Sequence, residues 1–169
     1  TGNPTGRDVG FDQIVPFEKT GTEYIFAKGD GTDELERVIL IAQNPQTEIY
    51  LNGNNSPSYT LQSGAYAVID GSQFINNNLY VRSTENVFAY QSIGGNGGSS
   101  ANQNLFFVPP LNCSTPNIVD NIPQIELIGN TSYTGGLNIV TEKGAVVAIN
   151  NSNINSVPVD ISGNPNFVR

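Results

Sequence analysis

Four carboxylates fall close together at Asp30, Asp33, Glu34 and Glu36. Hard oxygen ligands of this kind suit calcium, and Gly31 would allow the tight turn that gathers them. The spacing matches neither the D-x-[DN]-x-[DN]-G loop of an EF-hand nor the nonapeptide of calcium-binding β-helices. A metal site at these four residues is therefore an expectation, with Ca2+ the candidate cofactor. The competing reading is a solvated turn in which Asp30 bonds its own backbone and Glu36 pairs with Arg37.

Other stretches offer less. Gly94-Gly95-Asn96-Gly97-Gly98-Ser99-Ser100 could bring backbone N–H groups to a phosphate. It lacks the Lys-[Ser/Thr] of a Walker loop, and no helical pattern follows, so a hairpin tip is expected. Seven tyrosines stand among many amides, and Tyr50, Tyr59 and Tyr66 are the candidate ligand surface, able to stack on sugar rings. The alternative for them is cross-strand packing with a wet hydroxyl. The sequence has no His, which removes the commonest general base. A hydrolase would then need two converging carboxylates, and the candidates crowd into one loop. Ser and Thr are plentiful but have no positioned base. An isopeptide would need Lys19, Lys28 or Lys143 buried beside an Asn and an acid, whereas lysines are ordinarily at the surface.

The elements that would hold these residues read as strands. Val38-Ile39-Leu40-Ile41-Ala42 is a short apolar run broken by Gln43-Asn44-Pro45-Gln46, and Thr47-Glu48-Ile49-Tyr50-Leu51 alternates before Asn52-Gly53. Period two bounded by Asn, Gly and Pro marks strands joined by tight turns. Similar text returns about 98 residues later, with Val146-Val147-Ala148-Ile149 before Asn150-Asn151, and Gly163 echoing Gly64.

Further strands are expected at residues 9–17, ending at Pro16, and at 23–27, 58–61, 65–69, 79–82, 86–92 and 105–108. In 86–92, Val87 and Ala89 share one face and Phe88 and Tyr90 the other. After a connecting turn at residues 112–117, strands are expected at 124–128, 137–140, 145–149 and 157–161. No apolar period of 3.6 is sustained, so the fold class is all-β, an antiparallel β-sandwich of jelly-roll or immunoglobulin-like type. About one and a half tandem related modules are expected, the first unit at 1–111 and the start of a second at 112–169.

Charged residues make up 13% of the chain, and with seven Tyr and eight Phe a disordered chain is excluded. A net charge of −8 without a basic cluster argues against nucleic acid and anionic lipid as partners. No apolar stretch is long enough to span a bilayer. Cys113 is the single cysteine, so no internal disulfide forms and no thiolate metal site can be assembled. The chain begins with Thr and stops where the first copy of the repeat continues, as expected of a piece of a longer protein.

An ordered series of motifs resembles the IgGFc-binding protein N-terminal domain family. It comprises Gly21-Thr22-Glu23-Tyr24-Ile25-Phe26, Lys28-Gly29-Asp30-Gly31, Leu35-Glu36-Arg37, Thr47-Glu48-Ile49-Tyr50-Leu51-Asn52-Gly53, Leu61-Gln62-Ser63-Gly64, Tyr80-Val81-Arg82-Ser83, Tyr90-Gln91-Ser92-Ile93-Gly94-Gly95 and Asn104-Leu105-Phe106-Phe107-Val108-Pro109-Pro110-Leu111. The match spans residues 7–168. The upstream and closing strands of the fuller family pattern are missing from this sequence. The resemblance supplies no catalytic motif. It implies an extracellular or cell-surface, secreted, non-enzymatic structural and adhesive module of a large protein. Low Cys, no His and an acidic, Asn-rich composition are closest to the family's branch in gliding, Bacteroidetes-like bacteria. Its partners would be neighbouring modules of the same polypeptide, with surface glycans or a host or extracellular protein as further candidates. The alternatives are a lectin-like module that binds carbohydrate or depends on calcium and, more remotely, a glycoside-active enzyme. Strand edges left free in this piece are expected to be covered in the intact chain.

Overall fold

A computed structural model describes residues 12, 14–29, 31–93, 104–112, 116–120, 122, 127–128, 131–132 and 137–169. The first half carries β1 (Gly21–Ala27), β2 (Arg37–Ala42), β3 (Thr47–Leu51), β4 (Tyr59–Leu61), β5 (Tyr66–Asp70), β6 (Asn78–Ile93) and β7 (Asn104–Phe107). Later come the short strands β8 (Leu127–Ile128), β9 (Thr131–Ser132), β10 (Thr141–Glu142), β11 (Ala148–Ile149), β12 (Ser152–Asn153) and β13 (Asp160–Ile161), then β14 (Asn164–Val168). Two 3-10 turns, Phe17–Lys19 and Gly71–Gln73, are the helical elements among the described residues. The chain is all-β and antiparallel, as the period-two pattern requires.

The first seven strands form one sheet organised on β6. Along one side of β6, β2 pairs with its C-terminal half (Arg37↔Ser92 to Ala42↔Val87) and β3 with its N-terminal half (Ile49↔Ser83 to Leu51↔Val81). Strands β5 and β4 repeat this one place further out, on β2 and β3 respectively. On the other side of β6, β1 takes the N-terminal half and β7 the C-terminal end. Three long ribbons therefore turn one corner together, at residues 43–46, 62–65 and 83–86.

Small polar side chains satisfy the backbone where the ladder breaks at that corner. Thr47 Oγ1 donates to Asn44 O at 2.8 Å, Ser63 Oγ to Gln43 O at 2.6 Å and Ser83 Oγ to Glu85 O at 2.7 Å. Glu48 N–H donates to Thr84 Oγ1 at 3.0 Å.

The corner makes the core. Leu79, Val81, Val87 and Ala89 lie at alternate positions of β6 and are all buried, so one face of the sheet is interior along the strand. Folding at the corner brings that face onto itself. Tyr24, Phe26, Ile49 and Leu51 from one layer join Val38, Leu40, Ala67 and Ile69 from the other in a single cluster. Each fully buried Leu or Ile here contributes about 1.5–3 kcal/mol by leaving water. This is the sandwich the sequence predicts, built from a folded sheet.

The later strands pack on the outside of β1 and β6. Ile25 and Tyr80, which face away from the main core, meet Ile161, Val140, Leu111 and Phe167 in a second cluster. Strand β14 is central in its own sheet, between β10 and β13. Gly163 lies directly against the Asn52-Gly53 turn: a Cβ on Gly163 would stand 2.2 Å from Gly53 N.

Several expectations change in detail. Residues 79–82 and 86–92 are parts of one 16-residue strand, because the neighbouring ribbons bend with it. Residues 14–16 are not strand, and Phe17 opens a 3-10 turn closed by Thr20 N–H onto Phe17 O at 2.9 Å. Residues 137–140 lie outside the strands, while residues 164–168, read as the chain's trailing end, form β14. The paired left-handed residues Asn52 and Gly53 (φ 51° and 78°) and Asn150 and Asn151 (φ 49° and 62°) adopt the hairpin-turn backbone that favours Asn and Gly.

Candidate functional site

The acidic loop joins β1 to β2. Glu36 is fully buried, and its two carboxylate oxygens accept from Gly31 N–H (3.0 Å) and Gly29 N–H (3.2 Å). The side chain closes the loop on itself through charge-assisted bonds. Asp33 pairs with the Lys28 ammonium, and its carbonyl accepts Gly71 N–H at 2.9 Å, tying the loop to the end of β5. Glu34 is exposed, and its carbonyl accepts Arg37 Nε–H at 3.0 Å. Asp30 lies outside the described residues. Among the described residues no three acidic or Cys side chains are gathered as metal ligands would be.

The three candidate tyrosines do not share a surface. Tyr59 pairs with the core residue Ile49, so it faces inward and packs against the main cluster. Tyr50 is on the outer face of β3, with the Arg82 guanidinium over its ring at 4.1 Å and its hydroxyl donating to Glu48 Oε2 at 2.5 Å. That bond to a carboxylate, with lesser desolvation, raises the Tyr50 pKa above its ordinary value. Tyr66 is on the outer face of β5 in the other layer and is 66% exposed. The glycine-rich loop at 94–100 and Tyr133 lie outside the described residues.

Composition alone did not reveal the surface around Tyr66. Cross-strand register sets Tyr66, Ile41 and Phe88 in one row and Val68, Ile39, Tyr90 and Phe107 in the next. Phe88 meets Phe17 with ring centroids 6.2 Å apart, and Tyr90 meets Phe107 edge-on at 5.8 Å. Burial, with the Asp12 charge nearby, raises the Tyr90 pKa. The layer is thus apolar on both faces. The sequence signal is the unbroken run Val38-Ile39-Leu40-Ile41-Ala42, the pattern of a strand covered on two sides.

Asp70 ends the Tyr66 edge. Its carboxylate accepts from Ser72 Oγ at 2.5 Å and Ser72 N–H at 3.0 Å, and these bonds hold its pKa below the usual carboxylate value. Buried Gln91 donates through Nε2 to Ala27 O at 2.7 Å, across the junction of β1 and β6.

The architecture defines an all-β sandwich module in which the Asp33, Glu36, Glu48 and Asp70 side chains are engaged in turns and strand contacts. The sequence matches the family model described as IgGFc binding protein over residues 1–168, and the chain belongs to that family. No curated protein and no solved structure matches it.

Proposed function

We propose that the chain is an extracellular, non-enzymatic module of a large secreted or cell-surface protein, acting as a structural and adhesive unit that contacts other proteins. The observation that supports it best is the use of the polar groups. Glu36 closes a loop, Asp33 holds Lys28, Asp70 caps a 3-10 turn and Glu48 holds Tyr50. Each is a tie within the scaffold, while the outward side of the β2–β5 layer offers apolar rows of the kind that proteins use for contact. Residues 1–111 are then one unit, and 112–169 the start of a related second, with neighbouring modules of the same polypeptide as the first partners.

The family's name points to an immunoglobulin Fc surface as the protein ligand to try first. The purified chain would be immobilised and exposed to Fc fragments, to a glycan array and to chromogenic glycosides, with and without calcium. Binding to a protein surface without glycoside turnover is the expected outcome. Turnover abolished by Asp33→Asn or Glu34→Gln would overturn it. Carbohydrate recognition would have to use Tyr66, since Arg82 covers a face of Tyr50 and Tyr59 faces the core. Calcium would have to use Asp33 and Glu34 with Asp30, because Glu36 already binds two backbone N–H groups.

A further inference from the structure

Among the described residues, β5 is the outermost strand of its layer. Ala42 N–H donates to Ala65 O at 2.9 Å, and the register continues through Leu40↔Ala67 and Val38↔Ile69. Within β5, Ala67 and Ile69 therefore aim their N–H and C=O groups at β2, and Tyr66, Val68 and Asp70 aim theirs outward. Tyr66 and Val68 are 66% and 42% exposed.

The other borders of the main sheet are blunted. Strand β4 has 3 residues. On β7, Phe107 N–H donates to the Asp12 carboxylate, and on β1, Glu23 O accepts Leu111 N–H at 2.8 Å. Between Tyr66 and Asp70, past the Gly64–Ala65 bulge against Ala42, β5 carries none of the lysines, prolines or bulges that guard an edge.

We propose that β5 pairs antiparallel with β5 of a second copy of this chain, about a two-fold axis at Val68, so that two modules share one continuous layer. Val68 then stands opposite the partner's Val68, and Tyr66 opposite the partner's Asp70. Each of these pairs exchanges both backbone hydrogen bonds, because the outward groups are in phase. The one charged residue of the strand meets a tyrosine and not its like, whereas a register centred on Asp70 would oppose two carboxylates and is disfavoured. The pairing also extends the apolar rows Ile41–Tyr66 and Ile39–Val68 across the junction.

A five-residue edge buries little area, and each copy carries a net charge of −8. The free association is accordingly weak, strengthened by salt, and strong only where copies are tethered or crowded. This inference stands on the edge geometry and does not depend on what the module binds.

The test is sedimentation equilibrium of the whole chain over a range of concentration and NaCl, with amide exchange followed residue by residue. A dimer that tightens with salt is expected, with protection of Tyr66 and Val68 N–H rising with concentration. Val68→Lys, which sets two lysines face to face, should weaken it about tenfold or more, while Thr60→Lys on β4 should not. The amide protection in the unaltered chain serves equally if Val68→Lys fails to fold. A monomer at every concentration and salt would overturn the proposal, as would a dimer that protects other strands. So would edge amides that respond only to an added basic, extended peptide, which would assign the edge to a different partner.

Discussion

The hydroxyl of Tyr24 on β1 donates to the carbonyl oxygen of Val87 on β6 at 2.6 Å, inside the core. The Tyr24 hydroxyl oxygen itself accepts Gly21 N–H at 2.7 Å. Both bonds fall where the register of β1 against β6 jumps from Gly21↔Val87 to Glu23↔Arg82. A bulge leaves ladder groups without partners, and here a buried side chain supplies one.

Tyr24→Phe keeps the ring and removes this tie. It leaves Val87 O and Gly21 N–H without their phenol partner, at a cost of about 1–3 kcal/mol. Urea unfolding should show a lower midpoint with an unchanged m-value, because the surface exposed on unfolding hardly changes. A midpoint equal to that of the unaltered chain would remove the hydroxyl from the account of the bulge.

Burial pushes the Tyr24 hydroxyl from 10.0 up to about 12, against the smaller lowering effect of the Gly21 bond. Burial, aided by the negative charge of Glu23, also takes Tyr80 to about 12. A folded-state pKa raised above the unfolded value means that the folded chain holds its proton longer. The resulting stability is complete below about pH 10 and is lost as pH rises toward about 12. For Tyr24 the loss is at most about 3 kcal/mol. Melting temperature measured from pH 8 upward should stay level and then fall above pH 10, and Tyr24→Phe should fall less steeply. Equal slopes would contradict the burial assigned to Tyr24.

The strand pattern was legible because residues 38–42 and 47–51 carry their period and their turn residues locally. The alternation of Val87 and Ala89 against Phe88 and Tyr90 likewise gave the correct faces, with the first pair buried and the second partly exposed. The unity of β6 was not legible, since Ser83-Thr84-Glu85-Asn86 reads as a polar break, and only its neighbours bending in step keep it paired. Site residues were least legible. Asp33 and Glu36 are each only five residues from their partners Lys28 and Gly31, yet whether a carboxylate turns inward to cap backbone or outward to hold a cation depends on the path of the loop. Tyr50, Tyr59 and Tyr66 have the same chemistry, and their faces are set by register with Arg82, Ile49 and Ile41.

Glu36→Gln tests the loop closure. A carboxamide offers one acceptor oxygen, so either Gly29 N–H or Gly31 N–H would face an NH2 group. Because bonds to a charged acceptor are the ones lost, a destabilisation of about 1.5–3 kcal/mol is expected. Amide exchange at Gly29 and Gly31 should quicken more than exchange in β2. Unchanged exchange at both glycines would show that the carboxylate does not hold them.

Gly163→Ala tests the junction between the later strands and the main sheet. Gly163 has φ +82°, and the added Cβ would lie 2.2 Å from Gly53 N and 2.4 Å from Asn52 C. Those neighbours are backbone atoms of a left-handed turn that Asn52 Nδ2 braces through Gln73 O at 2.8 Å, so they cannot rotate aside as a side chain would. The left-handed backbone alone costs an alanine about 1–3 kcal/mol, and relief of the clash requires the β13–β14 turn to lift from the residue 52–53 turn. Ile161 would then leave Ile25 and Tyr80, exposing the second cluster while the core of the folded sheet stays shut. Hydrogen exchange should accordingly quicken in β13, β14 and the outward groups of β1, with β2 and the C-terminal half of β6 unchanged. Gly64→Ala is the control, since it has the same left-handed backbone (φ +76°) and open space around the added Cβ. It should lower stability by the backbone strain alone and leave the β13–β14 exchange as it was. Equal exchange in β13 and β14 for the two variants would mean that the glycine-to-glycine contact does not dock the later strands.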